Sequence, residues 1–176
     1  MIAFITQSCE TDIPEIDTDP PTFTFNISGD GFNHTFTQDD DFNNFTLYLK
    51  NNTNYNFSFI GADQGGLRTM EWDIEPKNLI EFLEPIEEPW RIIPNSFSDT
   101  MWVRWTDTDS SNAQTGQVLT GNFRCPVEIY NQEAYHLSFW FHAGDFGGHS
   151  GPSNTVHKNL KIIITNQNTG IVDNVI

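Results

Sequence analysis

Basic residues are scarce in this chain of 176 residues. Only eight Lys and Arg stand against 24 Asp and Glu, which gives a formal net charge of −16. A charge of this size repels the phosphate backbone of nucleic acids and the surface of anionic membranes, so the sequence argues against both as binding partners. Divalent cations and basic patches on other proteins are better matched to it.

Long apolar runs and catalytic motifs are also missing. No apolar stretch approaches the roughly 20 residues that a membrane-spanning helix requires. The chain has no Gly-x-Ser-x-Gly elbow and no phosphate-binding glycine loop, and its carboxylates are too numerous to nominate a glycosidase pair. We therefore predict a protein that is not an enzyme and has no cofactor, with Ca²⁺ or Zn²⁺ as the two metals to consider.

Cysteine occurs only twice, as Cys9 and Cys125. The only basic neighbour of Cys125 is Arg124, so we expect a buried thiol rather than a nucleophile. In an exported protein the two cysteines could form a disulfide. Alternatively, Cys9 carries a lipid and Cys125 stays free, and the spacing does not decide between the two arrangements.

Aromatic residues and two-residue alternation are abundant. Aromatic side chains make up 14% of the chain, and apolar residues alternate with polar ones in several short segments, which is typical of strands with one buried face. These segments are TFTFNIS, FTLYLK, YNFSFIG, RTMEWDI, TMWVRW and YHLSFWF. Many short strands separated by turn residues predict an all-β sandwich over residues 22–166, followed by a C-terminal tail, 167–176.

The first 21 residues lack any core periodicity. Apolar residues 1–5 lead to Ser8 and Cys9, and an acidic, proline-containing stretch follows, which predicts a flexible tether. This arrangement resembles the surface-exported lipoproteins of the Bacteroidetes, although Thr6 stands where such signals prefer Leu. The resemblance implies that residues 1–21 are a signal remnant and tether, that Cys9 carries a lipid, and that the protein is anchored in the outer membrane at the cell surface.

Two segments of the predicted sandwich resemble bacterial immunoglobulin-like domains. YNFSFIGADQGGLRTMEWDI is similar to their B-to-C segment, and AYHLSFWFHAGDFGG with NLKIIIT is similar to their F-to-G hairpin. The resemblance implies an immunoglobulin-like antiparallel β-sandwich and carries no activity with it. Because such domains have about 100 residues, we expect insertions within residues 75–121.

The loop after YHLSFWF concentrates histidines. His142, Asp145 and His149 are of the residue types that bind Zn²⁺, but their spacing matches no known zinc motif, and the alternative is a polar loop. The acidic runs at residues 39–41 and 107–112 offer oxygen ligands for Ca²⁺, or are simply solvated loops.

Alternation also places aromatic residues on a potential binding face. Trp102 and Arg104 point away from the buried side of their strand, as do Trp140 and His142 of theirs. Exposed Trp suits sugar stacking or a protein interface, unless residues 75–121 fold over this face. Thr100 lies in Asp-Thr-Met, which resembles the O-glycosylation motif of the Bacteroidetes.

Together these features predict a non-enzymatic cell-surface lipoprotein that acts as a binding or accessory subunit of a larger outer-membrane protein complex. A glycan-binding lipoprotein of a nutrient-uptake system is the alternative. A metal-dependent hydrolase that uses the histidine loop ranks last.

Overall fold

The computed structural model describes residues 12–130 and 133–174, and its regular secondary structure is almost all strand. The strands are β1 (Thr22–Gly29), β2 (Phe32–Thr37), β3 (Phe45–Lys50), β4 (Asn54–Glu75), β5 (Glu81–Phe82), β6 (Arg91–Pro94), β7 (Met101–Thr106), β8 (Gln114–Arg124), β9 (Tyr135–Asp145), β10 (Thr155–Thr165) and β11 (Gly170–Asp173). Helical structure is limited to the 3₁₀ turns Lys77–Leu79 and Ser110–Asn112, and no helix in the described residues could cross a membrane.

Strand β4 belongs to two sheets. Its first part pairs with β1 and β8, which gives sheet one the order β2-β1-β4-β8-β5. Its second part pairs with β9 and β7, which gives sheet two the order β11-β3-β10-β9-β4-β7-β6. All pairings are antiparallel except that of β3 with β10.

The corner of β4 carries a bulge that reverses which residues face inward. Tyr55, Phe57 and Phe59 are buried before it, and Met70, Trp72 and Ile74 after it. The buried positions change from odd to even numbers, which requires one extra residue in β4. The register with β9 slips by one residue between Leu67 and Thr69, as this change requires. The sequence predicts two strands joined by a loop at ADQGG. The structure instead has one continuous strand of 22 residues, in which the cross-strand pairing is interrupted between Ala62 and Leu67.

The inner faces of the two sheets pack against each other through aromatic rings. Phe25 of sheet one lies 4.7 Å from Phe141 of sheet two, and Phe57 lies 5.0 Å from Trp72 (ring centroids). Burying a side chain of this size stabilises the fold by about 1.5–3 kcal/mol. Two facing sheets with a strand that crosses between them confirm the predicted immunoglobulin-like sandwich.

The hairpin predicted from the last core segments is present. Strand β9 pairs with β10 so that Leu137 lies opposite Ile162 and Phe139 opposite Leu160. The region 75–121 adds the short strand β5 to sheet one and the hairpin β6–β7 to the edge of sheet two. The segment predicted as a C-terminal tail contains an additional edge strand, β11, which pairs with β3.

Part of the segment predicted as a flexible tether lies against the sandwich. The backbone carbonyls of Pro14 and Glu15 accept hydrogen bonds from the amides of His149 and Ser150, and the Asp17 amide donates to the Gly147 carbonyl at 2.9 Å. Residues 14–17 are therefore docked onto the β9–β10 loop rather than free in solvent.

Candidate functional site on the outer face of sheet two

The solvent-facing side of β9, β4 and β7, which we call the outer face of sheet two, brings the four predicted binding residues together. Trp140 and Trp102 lie on either side of Asp73 as its cross-strand neighbours. In the adjacent row, His142 and Arg104 lie on either side of Glu71. Cross-strand neighbours have side chains about 5 Å apart, so the six residues form one continuous surface.

The insertion does not cover this surface. Trp140 is 46% exposed, and Trp102 and Arg104 are half-buried. The β6–β7 hairpin of the inserted region extends sheet two sideways, because β7 pairs with β4 and β6 pairs with β7. An aromatic and charged strip is therefore open to a partner.

Arg104 is held in a fixed position on this strip. Its Nε forms an ion pair with the Oε2 of Glu71, whose side chain is only 12% exposed. Its guanidinium carbon also lies 5.2 Å from the centre of the Trp102 ring, a cation–π arrangement. The ion pair with Glu71 and the Trp102 ring together limit the conformations of Arg104, so less side-chain entropy is lost when a partner binds.

Asp73 lies between the two tryptophans and is incompletely satisfied. Its Oδ1 is buried and has no hydrogen-bond partner among the described residues. Burial, followed by the negative charge of Glu71, raises the pKa of Asp73 from 3.8 to about 7. A half-buried carboxyl with one unpartnered oxygen can accept a hydrogen bond from a donor group on a ligand or partner.

Two histidines continue the strip onto β10. The rings of His142 and His157 stack with centroids 4.2 Å apart. Burial, and then the proximity of His157, lowers the pKa of His142, which favours its neutral form. The Nε2 of His142 and the Oδ1 of Asn159 are buried without a partner in the described part of the chain.

A cleft of about 460 Å³ opens beside His142, at the end of the outer face. Its walls include Thr69, Thr106 and Thr155, and Gly144 lies between them. Because Gly144 has no side chain, the cleft reaches the backbone, and a Cβ at this position would lie 3.5 Å from the Nε2 of His142. Hydroxyl groups and an imidazole therefore surround a space large enough for a small polar group.

The predicted zinc ligands are not brought together. His142 points to the outer face, whereas Asp145 is fully buried at the end of β9, where its carboxylate accepts two hydrogen bonds from Asn154. His149 is exposed in the following turn. Within residues 12–130 and 133–174, no group of three His, Cys, Asp or Glu side chains could hold a metal ion.

The acidic runs predicted as possible calcium loops use their carboxylates locally. Asp40 accepts from the Thr37 amide and Asp41 from the Asn43 amide. Asp107 and Asp109 accept from amides two residues further along, and hydrogen bonds from the hydroxyl and then the amide of Ser111 lower the pKa of Asp109. The carboxylates therefore stabilise turns.

The remaining predicted sites have different surroundings. The thiol of Cys125 is fully buried, which raises its pKa to about 12 and leaves no reactive thiolate at neutral pH. Thr100 is half-buried, and its hydroxyl accepts a hydrogen bond from Ser98. Cys9, the predicted lipidation site, lies outside the described residues.

Sequence reasoning did not nominate Asp73, Glu71 or Asn159 as site residues. Alternation places Glu71 and Asp73 on the solvent side of their strand. Only the pairing of β4 with both β7 and β9 shows that they lie between the two pairs of predicted residues.

No protein-family model matches the chain, and no curated protein matches it. Two solved structures with weak overall similarity are both surface-fibre subunits. The full-length major pilin SpaD of Corynebacterium diphtheriae aligns at 9% identity and a TM-score of 0.40, over 87% of this chain and 34% of the pilin. AggA, the major subunit of aggregative adherence fimbriae type I of Escherichia coli, aligns at 10% identity and a TM-score of 0.36, over 86% of this chain and 99% of AggA.

Proposed function

We propose that this protein is a non-enzymatic cell-surface subunit that binds a protein partner through the outer face of sheet two. The observation that carries the proposal is the row Trp140–Asp73–Trp102, in which two tryptophans flank a carboxyl with one buried, unpartnered oxygen. Trp and Arg are enriched among the residues that dominate binding energy at protein interfaces.

The polar groups of this face define the chemistry of the partner. Asp73, His142 and Asn159 each leave a buried atom without a partner in the described residues. These atoms are closed to solvent, so a partner reaches them only if its docking shifts the side chains, and the hydrogen-bonding groups it then supplies would recover about 1–3 kcal/mol per atom. With a net charge of −16, the chain is complementary to a surface that is basic and rich in hydrogen-bond donors.

We further propose that this partner belongs to an outer-membrane protein complex and that a lipid on Cys9 holds the protein there. The apolar run, Cys9 and the acidic residues after it support this. Pro14 is docked on the sandwich, and the five Cα-to-Cα steps from Cys9 to Pro14 span at most about 18 Å. A lipid on Cys9 would therefore keep the corner of β4 close to the membrane.

A glycan ligand is the second candidate, and the cleft beside His142 favours it. A sugar could stack on Trp140, which is 46% exposed, and direct hydroxyl groups toward Asp73, Asn159 and the threonines of the cleft. A soluble glycan would fit the cleft, whereas a protein partner would need the whole tryptophan strip.

The two candidates are separated by an affinity pull-down from detergent-solubilised native membranes. We expect the wild-type chain to retain a membrane protein, and W140A and W102A to lose it. V118A is the matched control, because Val118 is 56% exposed on the opposite sheet. Retention of the same protein by all variants would contradict the proposal. Binding of the isolated chain to a glycan array, lost in W140A, would instead support the glycan candidate.

A further inference from the structure

Two aspartates from distant parts of the chain are buried at the corner of β4. Asp17 comes from the docked N-terminal segment and Asp63 from β4 itself, and each is only 8% exposed. Both line the same cleft, and a Cβ added to Gly65, which follows Asp63 by two residues, would lie 2.5 Å from the Oδ2 of Asp17.

Each of these carboxylates has an oxygen without a partner. The Oδ1 of Asp17 accepts a hydrogen bond from the Asp19 amide, but its Oδ2 is buried and accepts none from the described residues. The Oδ1 of Asp63 is buried and unpartnered in the same way. A buried carboxylate oxygen without a donor is strongly unfavourable, so buried charges are normally paired or bound to a metal.

No basic side chain compensates these charges. The four ion pairs in the described residues involve Lys50, Arg91, Arg104 and Arg124, and none of them includes Asp17 or Asp63. The groups around Asp63 are acidic instead. Burial, and then the charges of Asp145, Asp17 and Asp19, raises its pKa to about 7.

A cleft of about 470 Å³ opens at this position, and its lining includes Asp12, Asp17, Asp19, Asp63 and Gln64. It contains oxygen donors of two kinds, carboxylates and the neutral side-chain amide of Gln64. Among the described residues, neither His nor Cys lines it, which disfavours Zn²⁺ because zinc prefers nitrogen and sulfur ligands.

We propose that this cleft is a Ca²⁺ site in which Asp17 and Asp63 supply the carboxylate ligands and neutral oxygens and water complete the shell. Calcium accepts six to eight oxygen ligands in flexible geometry, including amide carbonyls and water, whereas Mg²⁺ demands a near-ideal octahedron. Two carboxylates with neutral oxygens suit the first requirement better than the second. The ion would neutralise the charges that the fold buries here.

The site has a structural consequence, because its two carboxylates belong to separate segments. Calcium would fasten residues 14–19 to the corner of β4, where backbone hydrogen bonds already connect Asp17 with Gly147. Without the ion, Asp17 and Asp63 repel each other across this contact. Calcium would therefore control whether the N-terminal segment is docked or released.

The test is a titration of the calcium-free chain with CaCl₂ by calorimetry, paired with thermal melts. We expect one equivalent to bind in the range of about 10⁻⁴–10⁻³ M that is typical of extracellular calcium modules, and a rise in Tm. Amide exchange of residues 14–19 should slow at the same calcium concentrations. Absence of both heat and a Tm shift at tenfold higher calcium would overturn the proposal.

Isosteric variants locate the site. D17N and D63N should each weaken calcium binding at least tenfold, while D109N, in one of the surface acidic loops, should bind as the wild type does. D63N should also melt at a higher temperature than the wild type in chelator, because it removes a buried negative charge, and this result shows that the variant is folded. Loss of binding in D109N, or wild-type binding in folded D63N, would contradict the assignment. An equal response to MgCl₂ would overturn the choice of calcium.

Discussion

The imidazole rings of His142 and His157 stack on the outer face of sheet two, with centroids 4.2 Å apart and planes inclined by 28°. Burial and the neighbouring His157 lower the pKa of His142 below its ordinary value of 6.5. Protonation therefore favours the unfolded chain, and the stability that His142 contributes is present above pH 6.5 and decreases as the pH falls below it.

The variant H142Q removes this titration. We expect its Tm, relative to the wild type, to rise on going from pH 7.5 to pH 5. H136Q is the control, because His136 is exposed on the same strand and lies outside the stacked pair. If H142Q and H136Q behave alike across this range, the stacked pair does not influence stability as described.

Asp73 should produce the opposite dependence on pH. Its pKa in the folded chain is about 7, against an ordinary value of 3.8, so the folded state holds the proton more tightly. The stability from this group is present below pH 3.8 and is lost as the pH rises through 7. The variant D73N should therefore gain in Tm over the wild type between pH 5 and pH 8.

Asp109, in the acidic surface loop at residues 107–112, offers a matched comparison for Asp73. The pKa of Asp109 is lowered by its hydrogen bonds from Ser111. Relative to the wild type, D109N should therefore lose least stability at low pH, and the loss should grow as the pH rises. A Tm difference for D73N that is constant with pH, measured beside D109N, would contradict the assigned environment of Asp73.

Adjacent residues on β9 should respond very differently to truncation. F139A removes a ring that is fully buried and lies 4.8 Å from Trp72, and we expect a loss of about 3–5 kcal/mol in the free energy of unfolding. W140A removes a ring that is 46% exposed, and its cost should stay within about 1 kcal/mol. Urea denaturation of both variants measures this, and equal losses would show that Trp140 belongs to the core.

The corner of β4 depends on Gly66. This residue has a φ of +90°, and a Cβ there would collide with the Cβ of Ala113. We expect G66A to cost about 1–3 kcal/mol through backbone strain, with the collision in addition. The control is G31A, because Gly31 has a similar φ of +76° and open space around it. The difference between the two variants in urea denaturation measures the collision, and a G66A loss no larger than that of G31A would contradict the close contact at the corner.

Local alternation accounts for what could be predicted from the sequence. It identifies the inward set on β9, such as Leu137 and Phe139, and the outward set, such as Trp140 and His142, because side chains of a strand alternate between its two faces. It also places Trp102 and Arg104 outward without any knowledge of their neighbours.

Relationships between segments could not be predicted in this way. Nothing local to Trp102 or Trp140 indicates that both flank Asp73, because strand order and register arise from the packing of the whole sandwich. The pairing of Asp17 with Asp63 depends on docking of an acidic segment whose composition is typical of a flexible linker. The zinc hypothesis for His142, Asp145 and His149 rested on closeness along the chain, while the alternation of β9 turns His142 and Asp145 to opposite faces.

Site-specific photocrosslinking in native membranes tests the central claim most directly. A photoreactive phenylalanine analogue at position 140 lies on the outer face of sheet two, and one at position 118 lies on the solvent side of sheet one. If a partner binds the outer face of sheet two, position 140 should give a discrete crosslinked adduct with a membrane protein and position 118 should give none. Crosslinking from position 118 but not from position 140 would contradict the claim.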